Sequence, residues 1–394
     1  MGTVYKRGKT WSYQFYHGID PETGKPIRHY EGGFDKRKTA LDAMDEAILD
    51  IKKGLAWDSK SVKFGELAEN WIEGYIKMNA KPGSVRIRRN EMGHLLKAFR
   101  YSKVKDITRI DLQNLVDNLL AREYARSTVS GIMTCARMIF KAAQRDGLIL
   151  KNPVDHVIIP KEILTVEKIE SEEGDVMFLE KDELTVFLDT AREKGLDKDY
   201  AIFSFIAYTG LRLGETIALK WDDLDFENNT VKVTKQIYNP TNNQHKYKIL
   251  TPKTRHSIRT LEVDESIMQL LKKHKLFQYE QKFLIGQDYH DLNFVFARAN
   301  GLPEVPKQIN NRIARLMRLS GIEKKVSTHG LRHTHTSLLV EAGHDLIMIR
   351  DRLGHKDLET TVTIYTHITK SLKVKASHQF SESMKGFTER IIKF

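Results

Sequence analysis

His329-Gly330-Leu331-Arg332 lies near the end of the chain, followed by Leu353-Gly354-His355 and, ten residues on, by Tyr365. Upstream, Thr209-Gly210-Leu211-Arg212 brings an arginine and Thr251-Pro252-Lys253 a lysine. The set comprises a phenol, two guanidiniums, an ammonium and two imidazoles. No carboxylate pair, cysteine cluster or glycine-rich phosphate loop accompanies it. Such side chains suit attack on a phosphodiester without a metal ion.

Local spacing says how these residues can meet. His329 and Arg332 are three apart, which places both on one face of a helix. Leu338, Leu339, Ala342 and Ile347 follow as core material, and Gly354 reads as a helix terminator just before His355. Leu358, Val362, Tyr365 and Ile368 then recur at four, three and three, so Tyr365 belongs to a new helix. One continuous helix would hold residues 355 and 365 roughly 15 Å apart. A turn at Gly354 lets His355 fold back towards the phenol. Taken singly, Tyr365 reads as a core tyrosine, His329 as a structural histidine, Arg212 as a partner of Glu215, and Lys253 as solvated. Only the ordered set points to chemistry. A metal site is the competitor, since His329, His333 and His335 fall within seven residues. Residue 335 points away from the other two on a helix, no acidic or cysteine ligand is near, and Arg332 would set a cation beside the ion. The expectation is no metal.

The 394 residues exceed one ordinary core, so several domains are expected. A net charge of +12 favours a polyanionic partner. The single Cys135 excludes an internal disulfide or zinc ribbon and fits a reducing compartment, the cytosol. Residues 1–20 lack an apolar signal core, and Ala201 to Tyr208, the best apolar run, is too short to span a bilayer.

Residues 1–58 read as a β-rich module ending in a helix. Trp11, Tyr13 and Phe15 alternate with polar neighbours, Asp20 to Gly24 is turn chemistry, and Pro26 to Phe34 offers another strand. Ala40, Leu41, Met44, Ala47, Ile48 and Ile51 then form a helical stripe. The cations Lys6, Arg7 and Lys9, with Lys36 to Lys38, would let a small sheet enter a DNA groove. Residues 62–160 read as a four-helix bundle, with Thr108 and Ser127 as cap candidates. This stretch holds 17 Lys/Arg against 10 Asp/Glu, and Lys81, Arg86, Arg88 and Arg89 cluster at a helix start suited to phosphate. Residues 161–175 turn acidic with little to bury, an exposed linker. Within residues 176–394, Leu211 to Leu219 should continue helically after Gly210. Thr230 to Tyr238 should be a strand, and Tyr247 to Leu250 and Ser257 to Val263 should be extended around Lys253.

The ordered residues resemble the tyrosine recombinase (phage integrase) family, in particular integrases of Gram-positive temperate phages and conjugative transposons. The resemblance implies a multidomain, mainly α protein with small β-sheets. Its parts would be an N-terminal three-stranded sheet plus helix that binds arm-type DNA (1–58), a helical core-binding bundle (62–160), the linker, and a mixed α+β catalytic domain with a C-terminal tail (176–394). By that resemblance Arg212, Lys253, His329, Arg332, His355 and Tyr365 are catalytic and Glu215 supports them. Tyr365 would attack the phosphorus, His329 would accept its proton, Lys253 would protonate the leaving 5′-oxygen, and His355 would donate a hydrogen bond to the phosphate. Both arginines can offer forked donors to the non-bridging oxygens.

Bond exchange of this kind needs no nucleotide cofactor. The expected partners are double-stranded attachment sites and a homotetramer assembled through the apolar tail. An excisionase or directionality factor and a host DNA-bending protein are the accessory partners that such a resemblance admits. The alternative reading is a DNA-binding regulator or architectural protein on the same scaffold without turnover.

Overall fold

A computed structural model describes residues 2–19, 24–52, 62–161, 178–252 and 257–354. The chain divides into two compact units, Met1–Ile163 and Leu164–Phe394. The linker, apart from Lys161, and the C-terminal tail lie outside the described residues.

The first unit opens with three antiparallel strands in sequential order, β1 (Gly2–Arg7), β2 (Thr10–Ile19) and β3 (Pro26–Phe34), followed by α1 (Arg37–Lys52). The two-residue period of β2 sends Tyr13 and Phe15 into a small core with Met44 and Ala47 of α1. Strict alternation fails where the register with β3 shifts, between Trp11 and Ser12 and again between Tyr16 and Ile19. The first shift buries Ser12 and leaves Trp11 only partly covered. The helical stripe is also narrower than its sequence pattern: Ala40, Met44 and Ala47 are buried, whereas Leu41 faces solvent. Asp20 to Thr23 of the expected turn lie outside the described residues.

A separate core follows, built by α2 (Phe64–Lys77), α3 (Pro82–Phe99), α4 (Arg109–Ala121) and α5 (Arg126–Arg145). Three- and four-residue spacing brings Phe64, Leu67, Ala68 and Ile72 inward, and Phe64 meets Phe140 with ring centroids 5.5 Å apart. Thr108 caps α4 reciprocally with Asp111, as the Thr-x-x-Asp spacing suggests. The cap expected from Ser127 is not formed. α5 starts two residues earlier than such a cap would set it, and Ala125 is its N-cap without a side-chain bond. Cys135 is buried on α5, its Sγ facing the Arg88 carbonyl at 3.7 Å. Burial first, then Glu91, pushes its thiol up to about 12, with Arg88 opposing.

The second unit is organised around α7 (Asp199–Thr209), a short helix buried almost all round. Against it stand α6 (Lys181–Lys194), α9 (Glu265–Ile285) and α11 (Thr328–Glu341), while α10 (Pro306–Ser320) covers α6. The expected long helix after Gly210 is instead a single turn, α8 (Leu213–Thr216), because Arg212 is extended at its N-cap. The expected strand over Thr230 to Tyr238 is two strands in different sheets. β5 (Thr230–Val233) sits between β4 (Leu224–Asp225) and β8 (Arg259–Glu262), whereas β6 (Gln236–Tyr238) pairs with β7 (Lys248–Leu250). The last described helix is α12 (Leu346–Leu353), ended by Gly354 in the left-handed conformation, as its position predicts. Among the described residues no helix is long and apolar enough to cross a membrane.

Replacing the fully buried Phe140 by alanine should cost about 3–5 kcal/mol of stability, whereas Leu41→Ala at a solvent-facing position should cost about 0.5 kcal/mol or less. Urea unfolding curves of the two variants beside the parent would show the difference in midpoint.

Candidate active site

Three chain segments, joined by Arg259 from β8, converge on one patch of cations. The first leaves α7. Gly210 caps that helix with φ of 65°, and a Cβ there would lie 2.6 Å from the His335 ring and 2.9 Å from the Leu353 side chain. Glycine is therefore required by conformation and by space. Extended Arg212 follows, and one turn later Glu215 folds back on it. The Glu215 carboxylate accepts from the Arg212 backbone N–H at 3.2 Å and from its Nη1 at 2.9 Å.

The second segment is α11, whose N-cap Ser327 accepts from the Gly330 N–H. His329 is the exposed residue of its otherwise buried first turn, and one turn in, Arg332 is only 1% exposed. Arg332 donates from Nη1 to the Gly210 carbonyl at 2.6 Å and from Nη2 to the Leu353 carbonyl at 2.8 Å. Both acceptors end helices, α7 and α12, where the aligned peptide dipoles favour a cation. Burial, together with Arg212, lowers Arg332 to about 9, so it stays charged at neutral pH.

The third segment is the last turn of α12, whose successive carbonyls each accept from a different arginine. Arg259 Nε reaches Arg352 O at 2.7 Å, Arg332 reaches Leu353 O, and Arg212 Nη2 reaches Gly354 O at 3.5 Å. Arg259 also meets the Glu215 carboxylate at 3.1 Å. Burial pushes Glu215 upward, but Arg259, Arg212 and Arg332 outweigh it and hold the group below the usual carboxylate range. Three guanidiniums around this one carboxylate leave an excess of positive charge, the condition for receiving an anion.

The three histidines of α11 have separate fates. Partial burial, then Arg332 and Arg212, lower His329, so at neutral pH it is an unprotonated base beside two cations. His333 lies with its ring centroid 4.5 Å from that of His329, and burial brings it down to about 4. His335 points away, as its helical position requires. Its Nδ1 meets the Ala207 carbonyl at 3.0 Å, and its Nε2 accepts from Arg352 Nε at 3.1 Å. That acceptor role fixes a neutral imidazole, and burial lowers it to about 3. Among the described residues no group of three His, Cys, Asp or Glu could hold a metal ion.

Of the residues singled out in the sequence, Arg212, Glu215, His329 and Arg332 are brought together. Lys253, His355 and Tyr365 lie outside the described residues, although β7 leads towards the first and Gly354 immediately precedes the second. Arg259, Arg352 and His335 were not singled out as members of the site. A signal for Arg259 existed: it shares strand parity with buried Leu261 and Val263, a charge in an inward-facing position. In the first unit Lys6, Arg7 and Lys9 are exposed on β1 and its turn, with Arg7 bonded to the Tyr30 hydroxyl. Lys81 is the N-cap of α3, and Arg86 and Arg89 are exposed on that helix. Arg88 is paired with Glu91 and is less available to phosphate than its neighbours.

The phage integrase family profile matches residues 177–371, and an arm DNA-binding domain profile matches residues 3–51. A XerC-like tyrosine recombinase of Caldanaerobacter subterraneus subsp. tengcongensis is 28% identical, covering 90% of this chain and 92% of that protein. The ICEBs1 integrase of Bacillus subtilis is 27% identical over 89% of this chain and 91% of its own. Among solved structures, the Tn1549 transposon integrase in complex with transposon right end DNA shares the fold. Its TM-score is 0.65 at 21% identity, with 82% of this chain and 100% of that one covered. A lambda integrase dimer bound to a core site gives 0.56 at 16% identity, covering 92% and 93%. The chain belongs to the phage integrase family of tyrosine site-specific DNA recombinases.

Two outcomes follow from the packing. Gly210→Ala should lower thermal stability and displace the carbonyl that holds Arg332, which a melting curve and a DNA-cleavage assay would register together. His333, His335 and His274, the last buried on α9 with its Nε2 against the Val295 carbonyl, sit at about 4, 3 and 4 in the folded protein, against 6.5 unfolded. Below pH 6.5 the unfolded chain takes up protons that the native state refuses. Stability is thus fully present above pH 6.5 and falls as pH drops towards 4. Melting temperatures measured from pH 7.5 to 4.5 should decline accordingly, and His274→Gln should flatten part of the slope.

Proposed function

We propose that this recombinase integrates and excises a mobile element or prophage by exchanging DNA strands through a 3′-phosphotyrosine intermediate at Tyr365. The observation that carries the reading is the cluster of Arg212, Arg259 and Arg332 around Glu215, beside an unprotonated His329. In the proposed step the Tyr365 phenolic oxygen bonds to phosphorus and the bond to the 5′-oxygen breaks. The phenol proton passes to His329, and Lys253 supplies a proton to the departing 5′-hydroxyl. Arg212 and Arg332 carry the negative charge that builds on the non-bridging oxygens, and His355 adds a hydrogen bond there. Strand joining reverses the step with a different 5′-hydroxyl, so the bond energy is conserved and no nucleotide is consumed.

DNA contact by the rest of the chain completes the proposal. Residues 1–58 would bind arm-type sites through Lys6, Arg7 and Lys9. Residues 62–160 would grip the crossover site through Lys81, Arg86, Arg88 and Arg89. Residues 161–175 would link them to the catalytic domain at 176–394. Recombination would take place in a homotetramer, with an excisionase or directionality factor and a host bending protein as accessory partners. The DNA-bound structures of the Tn1549 and lambda integrases, the latter including a tetramer on a Holliday junction, support the DNA partner and an assembly of several copies on it. A bacterial cytosolic, nucleoid-associated location fits such a task.

Sequencing DNA covalently trapped on the protein tests the reading and maps the cleavage position. The parent should form an adduct that survives a chelator, and Tyr365→Phe should form none. Arg212→Lys should slow adduct formation by about 10²–10³-fold, the usual cost of one preorganised donor to a developing anion. Absence of any adduct with the parent would favour a DNA-binding regulator on the same scaffold.

A further inference from the structure

Among the described residues, Arg259 is the one of Arg212, Arg259 and Arg332 with a protein partner for every side-chain nitrogen. Nε donates to the Arg352 carbonyl at 2.7 Å, Nη1 to the Ser257 carbonyl at 3.1 Å, and Nη2 to the Glu215 carboxylate at 3.1 Å. Its side chain is 7% exposed. A guanidinium so committed is a poor ligand for phosphate and a good brace. The brace is reciprocated. Arg352 sends Nη1 to the Glu262 carbonyl at 3.2 Å, at the far end of the strand that Arg259 begins, and Nη2 to the Tyr208 carbonyl at 3.4 Å. Strand β8 and the last turn of α12 are thus laced together in both directions.

We infer that Arg259 is a positioning residue for strand cleavage, holding Glu215 as a carboxylate and fixing the last turn of α12. Glu215 has two oxygens and two arginine side chains to share. Oε1 takes Arg212 Nη1, and Oε2 takes Arg259 Nη2 together with the Arg212 backbone N–H. The division orients Arg212, whose other η nitrogen points to the Gly354 carbonyl. Without Arg259 the buried carboxylate loses a cation, desolvation prevails, and Glu215 takes up a proton at a higher pH than before. Protonated Glu215 no longer anchors Arg212, and the α12 turn that also carries the Leu353 acceptor of Arg332 is released from β8. The charged groups facing Glu215 are Arg212 from its own turn, Arg259 from β8 and Arg332 from α11.

This inference rests on the cleavage reading above, which the parent protein and Tyr365→Phe check separately. The probe is a nicked suicide duplex carrying the crossover sequence mapped from trapped DNA. Single-turnover adduct formation is followed across pH, beside duplex affinity and thermal melting. Arg259→Gln should bind the duplex as the parent does yet form adduct about 10- to 100-fold more slowly, as misplaced catalytic groups do. The acidic limb of its rate profile should move to higher pH, and Arg259→Lys, which restores the charge, should move it back. An acidic limb unmoved in Arg259→Gln, with rate lost only in step with melting temperature, would overturn the inference. So would weakened duplex binding with normal cleavage of what is bound. Should Arg259→Gln fail to fold, Arg259→Lys decides. Its ammonium cannot reach Glu215, Arg352 and Ser257 together, so its plateau rate should be lowered, and a plateau equal to the parent's refutes the assignment.

Discussion

The burial of Arg332 is the constraint on which the catalytic unit depends. Removing a guanidinium from water costs several kcal/mol, and among the described residues no carboxylate hydrogen-bonds to this one, although Glu215 favours its charge from nearby. Two helix ends accept its hydrogen bonds instead. Hydrogen bonds to a charged group contribute about 1.5–3 kcal/mol each. The dipole of each helix adds at most about 2 kcal/mol. For both carbonyls to be in reach, α7 must stop at residue 209, α12 must stop at residue 353, and α11 must pass between the two stops. The glycines after each helix, both in the left-handed conformation, are how the chain secures those stops.

From that cradle the rest of the site follows in order. Once α12 ends against Arg332, its neighbouring carbonyls fall to Arg259 and Arg212, and these two share Glu215. A lone carboxylate among three cations stays ionised, and the histidine at the lip stays neutral. The site therefore supplies both an electrophile-stabilising field and a proton acceptor from residues whose states are set by one another. A phosphodiester is the complementary object: anionic, and becoming more so as the nucleophile adds.

Much of this was legible in the sequence. Gly354 as a stop, Arg212 with Glu215, and His329 with Arg332 could be read because spacing on a helix is short-range geometry, whereas the stop at Gly210 was not read. The three-stranded N-terminal sheet was legible as a resemblance, and the bundle of α2 to α5 followed from periodic apolar residues. What could not be read is what depends on long-range contact. Arg352 and His335 meet across 17 residues, and Arg259 and Glu215 across 44; neither pair has a local signature. The division of Thr230 to Tyr238 between two sheets was hidden for the same reason, since β5 and β6 are equally extended and differ only in the strand that each meets. Ser127 failed as a cap because a plausible residue type says nothing of where the first turn begins. Leu41 failed as core because the small sheet covers only a narrow face of α1.

The concealment of Cys135 has a practical corollary. It is the chain's one cysteine, enclosed by α5 and its neighbours, with a thiol that ionises only in strong base. Maleimide and iodoacetamide reagents act on thiolate, so a buried thiol held this high should react slowly with them in the native protein. A cysteine introduced on any exposed turn would then accept a fluorophore or spin label first, with little background to remove. With one such cysteine in each unit, distances between them could be followed during recombination.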